Sequence, residues 1–96
     1  RHGLDSARLS ELFAWTEEEF NERLAGNPIR RIGHERWLRN IAVALGNCPP
    51  GKSILSALES RLKHPSLLVQ EHALWAITRQ QDNLQIFSRA SEPSPQ

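Results

Sequence analysis

Apolar residues recur three and four apart along most of this chain and nowhere alternate with polar ones over a strand's length. That spacing predicts five helical segments and no strand. The first covers about Ser6 to Ala14, with Leu9, Leu12 and Phe13 on one face. The second opens at Thr16, where Glu19 three residues on completes a capping box and Glu17 and Glu18 suit the positive end of a helix. Phe20 and Leu24 face the core, and Gly26 is a natural stop. Asn27-Pro28, a cap followed by proline, starts a third helix that runs unbroken to Leu45 and stops at Gly46-Asn47. Cys48-Pro49-Pro50-Gly51 is a loop. The fourth helix covers Ser53 to Lys63 on the stripe Ile54, Leu55, Leu58 and Leu62, and His64-Pro65 breaks it. Ser66 caps a fifth that ends near Gln80, with Leu84, Ile86 and Phe87 as a candidate last turn. The small, polar, proline-containing stretch 88–96 predicts a disordered tail.

Laying the third helix on the fifth brings out an internal repeat. Trp37 to Leu45 aligns with Val69 to Ile77 at an offset of 32 residues, and both end in Ala-Leu or Ala-Ile. Each of these helices follows a shorter one, which gives two hairpins over about residues 16–47 and 48–80. One hairpin cannot bury its apolar face alone, so the two should stack as a short HEAT-like α-solenoid. The expected fold is all-α, a single domain over residues 1–87. Trp37 and Trp75 fall at or near packing positions of the repeat, and Trp15 is placed to staple onto Phe20.

Composition narrows the classes. With 96 residues there is room for one domain. With 39% hydrophobic and 24% charged residues, the chain has ordinary globular proportions. No apolar run is long enough to span a membrane, and the opening residues lack a signal peptide's basic-then-apolar order. The chain does not start with Met, which suggests a piece of something longer. Cys48 is the single cysteine, so disulfide frameworks, cysteine-pair metal sites and iron–sulfur ligand runs are all outside its means. The four histidines are scattered without metal-ligand spacing, and no glycine-rich phosphate loop or catalytic constellation is present.

The net charge of +1 hides an asymmetry. Five acids lie between Glu11 and Glu22, and four arginines between Arg30 and Arg39. Arg30 and Arg31 would sit in the first turn of the third helix, where the dipole disfavours cations. Free N–H groups and guanidinium forks there suit a phosphate. Arg36 and Arg39 point to the open face, and His34, on the core arc, is a weaker candidate. The same face also reads as a solvated one, with Glu35 paired to Arg31 or Arg39. Arg61 and Lys63 are expected to be bystanders.

The blocks Pro28-Ile29-Arg30-Arg31, Arg36-Trp37-Leu38-Arg39-Asn40 and Ala44-Leu45-Gly46-Asn47 occur together in a stretch, 25–47, that closely resembles the C-terminal region of bacterial epoxyqueuosine reductases. The flanking LSELFAWTEEEF and HPSLLVQEHALWAI resemble the same region, so the likeness covers about residues 4–80. The resemblance implies a cytoplasmic enzyme that reduces epoxyqueuosine to queuosine in tRNA, with a cobalamin and two [4Fe–4S] clusters. Those cofactors belong to preceding catalytic and ferredoxin-like domains, and no cluster-binding cysteine run occurs in this chain. It implies for this segment a HEAT-like module, monomeric, that helps hold the tRNA anticodon stem-loop. Arg30, Arg31, Arg36 and Arg39 carry over as tRNA-binding candidates, with His34 behind them; no catalytic or metal residue does. The alternative is a packing module that braces the catalytic domain and touches no RNA.

Overall fold

The computed structural model describes the backbone of residues 6–91 and the side chains of residues 6–84. It is all-α. Five helices, α1 (Ser6–Phe13), α2 (Glu17–Arg23), α3 (His34–Gly46), α4 (Lys52–Glu59) and α5 (Leu67–Ser91), are joined by one short 3-10 helix, Pro28–Ile32. The tail expected over 88–96 falls partly on residues 92–96, outside the described residues.

The local signals act as their chemistry requires. Thr16 Oγ1 accepts from the Glu19 amide at 3.1 Å while the Glu19 carboxylate accepts from the Thr16 amide at 2.9 Å, a complete capping box. α2 ends at Arg23 with Leu24 as its C-cap, Gly26 turns the chain two residues further on with φ 81°, and Ser66 Oγ caps α5 by accepting from the Val69 amide at 3.3 Å.

Two expectations give way. The third helix is not continuous. Asn27 caps the 3-10 helix, whose last backbone bond runs from the Gly33 amide to the Arg30 carbonyl, and Gly33 then turns the chain with φ 88° before α3 begins. That conformation is left-handed and open to glycine at little cost. The fifth helix, conversely, does not stop near Gln80. No glycine or proline stands between Leu67 and Ser91, so nothing terminates the backbone where the apolar spacing weakens.

α3 and α5 form the main interface of the fold, α1 packs on both α3 and α4, and α4 packs on α5. The core gathers Leu9, Leu12 and Phe13 with Leu38, Ile41, Ala42 and Leu45 of α3, Ile54 and Leu58 of α4, and Val69, Ala76 and Ile77 of α5. Glu35 meets Ser66 at one end and Gly46 meets Trp75 and Ala76 at the other, so α3 and α5 run parallel. Burial repeats at 35 residues rather than 32: His34, Leu38, Ile41, Ala42 and Leu45 correspond to Val69, Ala73, Ala76, Ile77 and Gln80. A slip of about one turn preserves helical periodicity, so the letters Ala-Leu and Ala-Ile could align while the buried faces did not.

The aromatics also rearrange. Trp15 does not staple onto Phe20 but stacks on Trp37, 5.6 Å between ring centres, and Trp37 in turn tilts against Phe20. Trp37 is half-buried, with Nε1 donating to the Leu12 carbonyl at 3.4 Å. Trp75, expected to pack, is 43% exposed.

Candidate nucleic-acid interface

Gly26 and Gly33, both with positive φ, bracket the segment Asn27 to Ile32 and let it stand away from the helices on either side. Within it Asn27 Oδ1 accepts from the Ile29 amide at 2.9 Å and the Arg30 amide donates to the Asn27 carbonyl at 3.0 Å. Every residue from Asn27 to Ile32 is exposed, including Ile29 and Ile32. Arg30 and Arg31 line an open hollow of about 480 Å³ with Asn21, Gly26, Asn27 and Pro28. Arg30 Nε donates to Asn21 Oδ1 at 3.4 Å and so ties the segment to α2.

This placement corrects the electrostatic reasoning. Arg30 and Arg31 occupy the last turn of the 3-10 helix, not the first turn of α3. Cations are favoured at such an end, so opposition to a dipole does not explain them. The opposition applies instead to Arg36, in the first turn of α3.

The salt-bridged alternative fails on geometry. Glu35 accepts from Ser66 Oγ rather than pairing with Arg31 or Arg39. Among the described residues the ion pair present is Arg8–Glu11, and the side chains of Arg31, Arg36 and Arg39 make no hydrogen bond or ion pair with those residues. Arg39 buries its Nε without a partner. The fold therefore brings Arg30 and Arg31 to one hollow and sets Arg36 and Arg39 beyond Gly33 on α3, where Arg36 is exposed but Arg39, expected on the open face, is half-buried with its Nε turned inward.

His34 does not belong to that surface. It is 8% exposed, and its Nε2 lies 2.8 Å from the Trp15 carbonyl, so that nitrogen carries the proton and donates. His34 fastens α3 to the α1–α2 junction. Arg61 is engaged within the fold: Nε and Nη2 donate to the Phe13 carbonyl at 3.2 and 3.0 Å, and Nη2 to the Trp15 carbonyl at 2.9 Å. Burial draws its pKa down from the ordinary arginine value. Lys63 remains exposed.

A second cleft, about 510 Å³, opens between Thr16, Glu17, His34, Glu35, Arg61 and the His64–Ser66 turn. His64 Nδ1 accepts from the Ser66 amide at 3.0 Å, which requires the neutral ring. Its pKa is lowered by burial, then by the charge of Arg61 and His34, with Glu35 and Glu17 opposing. Sequence reasoning also missed Gln80, fully buried: its Nε2 donates to the Leu45 and Cys48 carbonyls and its Oε1 accepts from the Gly51 amide. Both Arg61 and Gln80 bond to main-chain groups far away in sequence, so no side-chain pattern marks them.

The chain is similar to epoxyqueuosine reductases. It is 57% identical to that of Pseudomonas aeruginosa over 79 residues, 82% of this chain and 22% of that protein. It is 58% identical to that of Escherichia coli over 81 residues, 83% of this chain and 21% of that one. With that of Shewanella oneidensis the identity is 47% over 95 residues, 96% of this chain and 24% of the relative. The chain thus spans about a fifth of the length of the curated relatives it matches. No family model matches it, and no solved structure does.

Proposed function

The chain belongs, as a C-terminal fragment, to the epoxyqueuosine reductases, and from that premise we propose that it serves the parent enzyme as a tRNA-holding module. Arg30, Arg31, Arg36 and Arg39 meet the sugar–phosphate backbone of the anticodon stem-loop, while chemistry on the epoxide takes place elsewhere in the protein, in the cytoplasm. What supports this best is the hollow where exposed Arg30 and Arg31 stand with no carboxylate beside them. An arginine without an internal anion is free to grip phosphate oxygens with two N–H groups.

The [4Fe–4S] clusters implied by the family do not fit this chain's own residues. A cluster takes about four thiolates, the chain has one cysteine, and no group of three or more His, Cys, Asp or Glu converges among the described residues. Burial pushes the Cys48 thiol's pKa up, away from the thiolate a metal would need. Those groups and the catalytic domains that hold them are assigned to the remainder of the protein.

One observation favours a second reading, packing against those domains. On the phase that buries α3 beneath α5, the equivalent side of α5 is open and carries exposed Leu67, Leu74 and Leu84. The two are separated in the intact enzyme by Arg30→Gln with Arg31→Gln. The tRNA reading expects a raised apparent KM for tRNA with cofactor content unchanged; packing through α5 expects KM unmoved by that pair, and altered stability or cofactor content from Leu74→Gln instead.

A further inference from the structure

Trp75 is both open and held in place. It is 43% exposed, yet its Cζ3 would lie 2.8 Å from a Cβ placed on Gly46. Gly46 has no positive φ. Close approach of the indole and of Ala76, rather than backbone conformation, is what calls for glycine there. The Arg79 guanidinium lies 5.9 Å from the ring centre. Arg79 Nε donates to Asn47 Oδ1 at 3.0 Å, and Asn47 Nδ2 donates to the Val43 carbonyl at 3.1 Å. The C-terminal end of α3 thus anchors the arginine, and the arginine lies against the indole. Neither terminal nitrogen of Arg79 is used in these contacts.

We infer that Trp75 is a stacking platform for an unpaired nucleobase and that Arg79 takes the phosphate next to it. Stacking on a base needs an aromatic that is accessible and already immobilised, because every base offers a π-face but ordering a loose side chain works against binding. Trp75 meets both conditions. Around it stand the Arg79 guanidinium, Asn47 and exposed Thr78, with exposed Glu71 one turn before it on α5 and Leu74 beside it; the anchored guanidinium against the ring, with its terminal nitrogens unused, is what favours a base with its phosphate over an apolar partner. The site rests on the tRNA reading but uses other residues. It stands at the opposite end of α3 from Arg30 and Arg31, about 20 Å away for a helix of that length. A stem held at one end can therefore present an unpaired base at the other.

The experiment uses the intact enzyme and two RNAs, an anticodon stem-loop and a blunt duplex of the same stem. Trp75→Ala weakens stem-loop binding between about five- and a hundredfold, leaves duplex binding and the salt slope as they were, and Trp75→Phe recovers most of the loss. Arg79→Gln weakens the stem-loop and lowers the salt slope by about one. Thermal unfolding of each variant accompanies the binding data. Unchanged stem-loop binding by Trp75→Ala overturns the inference. So does an equal loss on both RNAs, or a fall in melting temperature with no preference for the stem-loop, which marks protein packing. If Arg30→Gln with Arg31→Gln weakens both RNAs while Trp75→Ala changes neither, stacking alone has failed. If that arginine pair also changes neither, the tRNA reading has failed with it.

Discussion

The Arg61 guanidinium donates to the carbonyl oxygen of Trp15 at 2.9 Å, across 46 residues of chain. The same oxygen lies 2.8 Å from His34 Nε2. The turn after α4 and the start of α3 are thereby fixed to the α1–α2 junction. A charged donor is matched to the Phe13 carbonyl through two nitrogens and shares the Trp15 carbonyl with His34.

Arg61→Ala should therefore destabilise the chain by about 2–3 kcal/mol, since the Phe13 and Trp15 carbonyls lose charged donors. Arg61→Lys should recover only part, because one ammonium cannot reproduce the fork. Chemical unfolding checks this. Lys63→Gln, at an exposed neighbouring position, should leave the midpoint unchanged.

Gln80→Leu should cost about 3 kcal/mol or more, although it replaces a polar side chain with an apolar one in the core. The Cys48 carbonyl and the Gly51 amide would lose the Gln80 amide as their partner, and the Leu45 carbonyl would keep only its bonds within the turn that ends α3. An unfolding midpoint at or above wild type would contradict it.

The helices were largely legible from the sequence, because capping residues, prolines and apolar spacing act locally. Thr16 with Glu19, and Ser66, signal their caps in the letters themselves. Gly33 was not legible. A glycine inside a helical pattern is tolerated at about 1 kcal/mol, so Ile32-Gly33-His34 reads as continuous until φ is known. That one residue moved Arg30 and Arg31 from the start of one helix to the end of another and reversed the electrostatic reason for their presence. The exposed Trp75 was hidden for a different reason: its position depends on a glycine and an arginine brought together only by tertiary packing.

His64 gives the fold a pH dependence of fixed sign. Its folded pKa lies below the ordinary 6.5, through burial and the nearby charges of Arg61 and His34, against Glu35 and Glu17. The unfolded chain then binds this proton more readily, so stability is complete above 6.5 and declines as pH falls through and below it. The decline stops once the folded ring is itself protonated and the bond from the Ser66 amide is lost. His64→Gln should flatten this acid limb in unfolding measured from pH 7.5 to 5; an unchanged slope would show that another group is responsible.

Gly46→Ala should destabilise the chain by about 1–3 kcal/mol despite alanine's better helix propensity. The added Cβ would stand 2.8 Å from Trp75 Cζ3 and 3.1 Å from the Ala76 Cα, and the latter, being backbone, cannot swing away. Thermal unfolding with tryptophan emission reads both the loss and the displaced indole.

The central claim, that the Arg30–Arg31 hollow grips RNA phosphates, is tested most directly by the salt dependence of tRNA binding to the intact enzyme. Each phosphate contact contributes roughly one to the slope of log K against log salt. Arg30→Gln with Arg31→Gln should lower that slope by about one to two and weaken binding alike across stem sequences, while Lys63→Gln leaves both unchanged. A slope that stays at the wild-type value in the double variant, or that falls as much in Lys63→Gln, would contradict the account.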